Sequence, residues 1–240
     1  MNKGIFVLIG VVLLAGGWYV FTKEDRQMNK EVAPETTQDE MKATKSVPAS
    51  GMYEAVVADS TVMWSGQKPL VAGYVHKGTI MLSEGMIEVK DGTAAGSFTI
   101  DMNSIKATSL GGGKEGQESG LEKHLKSKDF FNVETYPTAT MKIASVTPIE
   151  GVAHRYTVVG ELTLLGKTNA VTFPADIYTK EDGTLMANAT VSIDRTVWGI
   201  TYGSGSFFDN LANNAIDNNI NLDLSLVAKM KTAETEGSAM

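Results

Sequence analysis

The sequence predicts an all-β protein, an antiparallel up-and-down β-barrel of about eight strands carrying a short helical insertion and preceded by an apolar N-terminal segment. Three observations predict it. Apolar and polar side chains alternate with period two over long runs, as in Leu185, Ala187, Ala189, Val191 and Ile193 against Met186, Asn188, Thr190, Ser192 and Asp194. Turn signals such as Lys90-Asp91-Gly92 and Glu181-Asp182-Gly183 separate those runs. No helical crossover lies between most of them, so sequence neighbours should pair antiparallel.

The chain of 240 residues opens on its most apolar stretch. Gly4 to Phe21 carries no charge and is flanked by Lys3 and by Lys23, Glu24, Asp25 and Arg26. That length lies within the roughly 17–25 residues a spanning helix needs, and Trp18 and Tyr19 fall where interfacial rings belong. Residues 1–21 therefore read as a signal-anchor, with a cleaved signal peptide as the alternative because Ala15-Gly16-Gly17 offers small residues. Either reading places the body outside the cytoplasm, in the cell envelope or periplasm, and the first keeps it on the membrane. Residues 22–51 contain no aromatic side chain and few aliphatic ones, so they read as a flexible polar linker.

The alternating body spans residues 52–231, and 232–240 reads as a disordered tail. Its expected strands are 60–66, 75–82, 85–91, 94–101, 138–147, 155–165, 169–180 and 184–196, with 218–230 closing the sheet. Ser83-Glu84-Gly85 reads as a turn between the second and third. Residues 108–132 interrupt the alternation with a glycine loop and then Leu121 and Leu125, one helical turn apart, which predicts a short helix over a barrel end.

Charge and composition narrow the function. A net charge of −7 argues against a nucleic-acid partner. The absence of cysteine excludes disulfides, thiolate metal sites and a cysteine nucleophile. His76, His124 and His154 show no metal-ligand spacing, and no Gly-x-Ser-x-Gly elbow occurs, so no catalytic residue, metal site or cofactor is expected. His154 reads as a solvated turn residue, and Asp101, Asp194 and Arg195 as strand-end groups pinning a rim through a salt bridge.

Four blocks resemble the YceI-like family in order and spacing. They are Asp101 to Ile105, His124 to Val133 followed by Tyr136-Pro137, Gly160 to Thr168, and Ile193 to Ile200. The resemblance covers about residues 52–230. It implies a lipocalin-like barrel, usually exported, whose interior holds a polyisoprenoid or similar amphipathic lipid. The Gly66–Val75 stretch and the Glu122-Lys123 pair depart from the common pattern.

On that reading a hydrophobic lipid is the ligand, and the membrane is a partner through the N-terminal segment. The candidate ligand-binding residues are Trp64, His76, Phe98, Ile100, His124, Phe130, Phe131, Met141, Ile143, Leu162, Leu164, Ala189, Val191 and Trp198. Small inward residues such as Ala189 and Gly160 leave volume that a chain could fill. The alternative is a filled barrel acting as a structural or interaction module of the envelope. The oligomeric state is left open.

Overall fold

The computed structural model describes residues 47–231. The expectations for residues 1–21, for the linker up to residue 46 and for the 232–240 tail lie outside the described residues. Among the described residues no helix is long and apolar enough to cross a membrane.

Among the described residues nine strands follow one another: β1 (Gly51–Ala55), β2 (Thr61–Gln67), β3 (Val75–Lys90), β4 (Thr93–Leu110), β5 (Thr138–Pro148), β6 (Arg155–Leu164), β7 (Lys167–Thr179), β8 (Leu185–Asp194) and β9 (Asn219–Met230). One helix, α1 (Glu118–Lys126), interrupts them. Every pairing is antiparallel, and β9 returns to pair with β1 and β2, so the sheet closes. The barrel has eight staves, because β1 and β2 lie end to end in the same gap between β3 and β9. A 3-10 turn at Val57–Asp59 divides them. Buried Ser60 holds the break together: its Oγ donates to the Val56 carbonyl (2.9 Å) and accepts from the Val227 N–H (3.1 Å).

Two expectations are corrected. Ser83-Glu84-Gly85 is not a turn; it lies within the continuous strand β3, where the pairing with β4 shifts register between Leu82 and Glu84. Ser83 and Glu84 are both exposed, so a bulge, with one residue added on one side, restores the alternation that carries Ile87 and Val89 inward. Strand β4 also runs on to Leu110 rather than ending at residue 101. A second shift hides its continuation, with the Met81 N–H donating to Ser104 Oγ (2.7 Å) and that hydroxyl to the Asp101 carbonyl (2.6 Å).

Tight turns behave as their chemistry requires. Asp91 (φ 50°) and Gly92 (φ 78°) join β3 to β4, matching the type I′ hairpin that Asp-Gly favours. Leu165 (φ 51°) and Gly166 (φ 71°) make the equivalent turn between β6 and β7.

The long connections gather at one end. The β2–β3 link, the α1 segment between β4 and β5, and residues 195–218 between β8 and β9 all lie there, with the short β6–β7 hairpin. Glu122 clamps α1 to β4, accepting from the Ala107 N–H (3.0 Å) with Lys106 Nζ at 3.4 Å. The Ala107 hydrogen bond is the main reason the Glu122 carboxyl titrates below its ordinary range. Two apolar clusters line the barrel interior, one around Ile105, Phe130, Leu162 and Trp198 at the α1 end, the other around Tyr53, Phe98, Tyr156 and Leu185 at the far end.

Candidate ligand-binding site

Inward residues along β8 and β9 pair across the ladder as Ala187–Leu226, Ala189–Leu224, Val191–Leu222 and Ile193–Ile220. Small residues on β8 against leucines on β9 leave the interior under-filled. The result is a deep chamber of about 170 Å³ whose wall is apolar except for Thr61 and Ser225. That volume is close to the ~150 Å³ apolar cavities that stay dry and accept a benzene-sized guest. Seven predicted residues line it: Phe98, Ile100, Met141, Ile143, Leu162, Ala189 and Val191.

A second, upper chamber of about 280 Å³ lies under α1 at the end with the long connections. Five more predicted residues line it: Trp64, His76, His124, Phe130 and Phe131. His124 Nε2 lies 3.0 Å from Asp129 Oδ2, and its ring meets Phe130 and Tyr202 edge-on at 5.0 and 4.8 Å. The His76 ring lies 4.4 Å from that of Tyr74. Burial, reinforced by Lys68 and Lys114 and opposed by the Val75 backbone, lowers the His76 pKa.

Two predicted residues wall neither chamber. Trp198, the last residue of a 3-10 turn at Arg195–Trp198, is 2% exposed and its Nε1–H donates to the Leu162 carbonyl (2.9 Å), which locks the indole against the barrel. Leu164 is packed in the same core cluster.

The strand-end charges also differ from expectation. Arg195 pins the rim without a carboxylate contact: Nε donates to Asp217 O (3.0 Å), Nη1 to Ile200 O (2.6 Å) and Nη2 to Ile216 O (3.3 Å). A three-way clamp of this kind uses the planar fork of guanidinium donors, and it ties both flanks of the 195–218 segment together. Asp194 caps the following 3-10 turn, accepting from the Thr196 N–H (2.9 Å) and hydroxyl (2.6 Å). Asp101 accepts from the Asn103 N–H (2.9 Å). His154 is half-buried rather than solvated, with its ring beside Tyr178 and φ at 60°.

Sequence reasoning missed Ile80, Ile105 and Ile220 on the strands of the upper chamber, and Tyr74, Ile200, Tyr202 and Ile216 on its connections. The last four sit on irregular segments, where no periodicity marks an inward face.

Fold and interior together define a hollow, apolar-lined β-barrel of the lipocalin-like kind. The chain belongs to the YceI-like family, whose domain matches residues 53–228. The UPF0312 protein plu2095 of Photorhabdus laumondii is 37% identical over 87 residues, 34% of this chain and 44% of that protein. YE1254 of Yersinia enterocolitica, another UPF0312 protein, is 36% identical over an equally long stretch. The chain thus matches less than half the length of these curated relatives. Among solved structures, Burkholderia cenocepacia BcnA superposes with a TM-score of 0.55 at 22% identity, covering 73% of this chain and 99% of its own. A polyisoprenoid-binding domain from Saccharophagus degradans gives 0.53 at 18% identity, covering 75% and 98%. At these identities the solved structures speak to the fold alone.

Proposed function

We propose that this protein is an exported or membrane-tethered lipid-binding protein that sequesters or carries a polyisoprenoid-type amphipathic lipid in its barrel and performs no chemistry on it. The observation that carries this reading is the deep chamber: about 170 Å³ of void with an almost wholly apolar wall. Each CH₂ moved from water onto such a wall contributes about 0.8 kcal/mol, so a long chain binds with few polar contacts. The polyisoprenoid-binding description of the Saccharophagus domain supports the ligand class. The uncharged Gly4–Phe21 segment supports export and a membrane tether. A filled structural barrel would leave no such void.

Ala189→Trp tests it. Ala189 lines the deep chamber opposite Leu224, so an indole there occupies ligand space. Binding of a long-chain isoprenoid should fall at least about tenfold, with a stability loss of only about 1 kcal/mol because the ring enters a void. A loss nearer 3 kcal/mol, with no lipid bound by the wild type, would mean a filled barrel.

A further inference from the structure

The barrel wall is not stitched along its whole height. Strand β7 pairs with β6 from Lys167 to Asp176, and β8 pairs with β9 from Leu185 to Asp194. Between themselves β7 and β8 pair only from Asp176–Asn188 to Thr179–Leu185, at the far end. Towards α1 both strands run on as facing edges, and among the described residues no pairing joins them. The sequence explains where the ladder stops. The Ile177 N–H turns to the His154 carbonyl beside β6 and the Lys180 N–H to the Thr184 carbonyl beside β8, so even-numbered residues of β7 face β8. Pro174, the next such position before Asp176, has no N–H to give, and the register would set it against Thr190.

Two further features mark this seam. On its inner side lies the deep chamber, lined by the residues that flank the gap, Val171 and Phe173 on β7 and Ala189 and Val191 on β8. Its strands carry no charge on either face, β7 from Thr168 to Ala175 and β8 from Leu185 to Ile193. Exposed strand edges are ordinarily blunted by charged side chains, and here neither edge has one. A hydrocarbon chain crossing between them strips water from no ion.

We propose that the β7–β8 seam is a side entrance to the deep chamber, through which the hydrocarbon chain of the ligand slides in and out between β7 and β8. The inference rests on the lipid-binding reading above and adds the route. Widening the seam breaks no ladder hydrogen bond, whereas parting β6 from β7, or β8 from β9, breaks a continuous row of them. The α1 end is the fastened one. Glu122 holds α1 to the Ala107 N–H, Gln67 Nε2 donates to Asp217 Oδ2 (2.9 Å), and Arg195 clamps three carbonyls. At the upper limit of the seam Asn169 Nδ2 meets the Val197 carbonyl at 3.5 Å, a long contact that yields easily.

The chain has no cysteine, so an introduced pair supplies its only thiols. Continuing the register sets Thr172 opposite Ser192, both exposed on the outer face. In the full-length protein, Thr172→Cys/Ser192→Cys joined by a short bismaleimide closes the seam. The probe is cis-parinaric acid, a straight-chain tetraene that fluoresces in apolar surroundings. Its stopped-flow uptake should slow at least about tenfold with equilibrium affinity unchanged, because a shut entrance alters rates and not end states. The unbridged variant should load like the wild type. Lys106→Cys/Glu122→Cys, bridged in the same way, fastens α1 to β4 where Nζ and Oε2 lie 3.4 Å apart, and should leave the rate unchanged. Pro174→Val supplies the missing N–H without a linker; it should raise hydrogen-exchange protection at Thr190 and Ser192 and slow loading. Wild-type loading by the bridged seam variant, or by Pro174→Val with that protection gained, overturns the assignment. So does slowing by the α1 bridge as large as that by the seam bridge. Failure of the folded wild type to bind either parinaric acid or geranylgeraniol at equilibrium overturns the lipid-binding reading itself.

Discussion

A single methyl group at position 78 should destabilise the barrel by about 3 kcal/mol, the upper part of the range for overpacking a closed core. A Cβ at Gly78 would run into the Lys106 carbonyl oxygen and the Trp64 indole. The first of these is backbone, so no rotamer change relieves it. The crowding arises where the β3–β4 pairing shifts register at Lys77–Gly78, bringing β4 close while Trp64 lies across the glycine from β2. Conformational entropy alone would favour Gly78→Ala by about 0.4–1 kcal/mol, so any loss reports the clash. Gly66→Ala, with open space around its Cβ, supplies the control and should be neutral or slightly stabilising. Urea unfolding of both variants checks the pair; a Gly78→Ala midpoint equal to that of the wild type would refute the packing described here.

Arg195→Met should cost about 2–4 kcal/mol and loosen one wall of the upper chamber. The side chain is 2% exposed and supplies a donor to each of three carbonyls. Methionine fills similar volume but leaves those acceptors without partners, at about 1–3 kcal/mol for each that stays buried. The loss of an expensive buried charge offsets part of this. Arg195→Lys should rescue little, because one ammonium cannot reproduce the guanidinium fork. Hydrogen exchange locates the effect: amides of Gly199 and Ile200, which close on Thr196 and Arg195, should exchange faster, while β5 and β6 stay protected. Wild-type protection at Ile200 in the methionine variant would show that the clamp contributes nothing.

Regular alternation makes most of the barrel legible in the sequence. Strands β5 to β9 fall within two residues of the expected limits, because each keeps one face inward from end to end. Where a bulge reverses the phase, the pattern failed. Ser83 and Glu84 looked like a turn, and β4 beyond Asp101 was lost, since Met102, Ile105, Ala107 and Leu110 alternate in steps of two and three. Strand β1 escaped notice because only Tyr53 is fully buried in its five residues.

The chamber walls were readable for the same reason as the strands. Candidates on β2 to β6, on β8 and on the α1 segment line the chambers, whereas wall residues such as Val62, Leu82 and Val158 on those strands, those on β7 and β9 such as Phe173 and Leu224, and Tyr74 and Tyr202 on the connections were not among them. Trp198 shows the converse limit: a large aromatic inside a family-like block belongs to the packing when a backbone carbonyl claims its N–H. Arg195 carries no sequence mark that separates a carbonyl clamp from a salt bridge.

Native mass spectrometry of the delipidated protein, re-exposed to one long-chain isoprenoid, bears most directly on the claim that the barrel interior is a lipid site. The wild type should gain the mass of one lipid per chain, and Ala189→Trp, folded but with its chamber filled, should gain none. A folded wild type that takes up no lipid, or uptake that Ala189→Trp leaves unchanged, would contradict it.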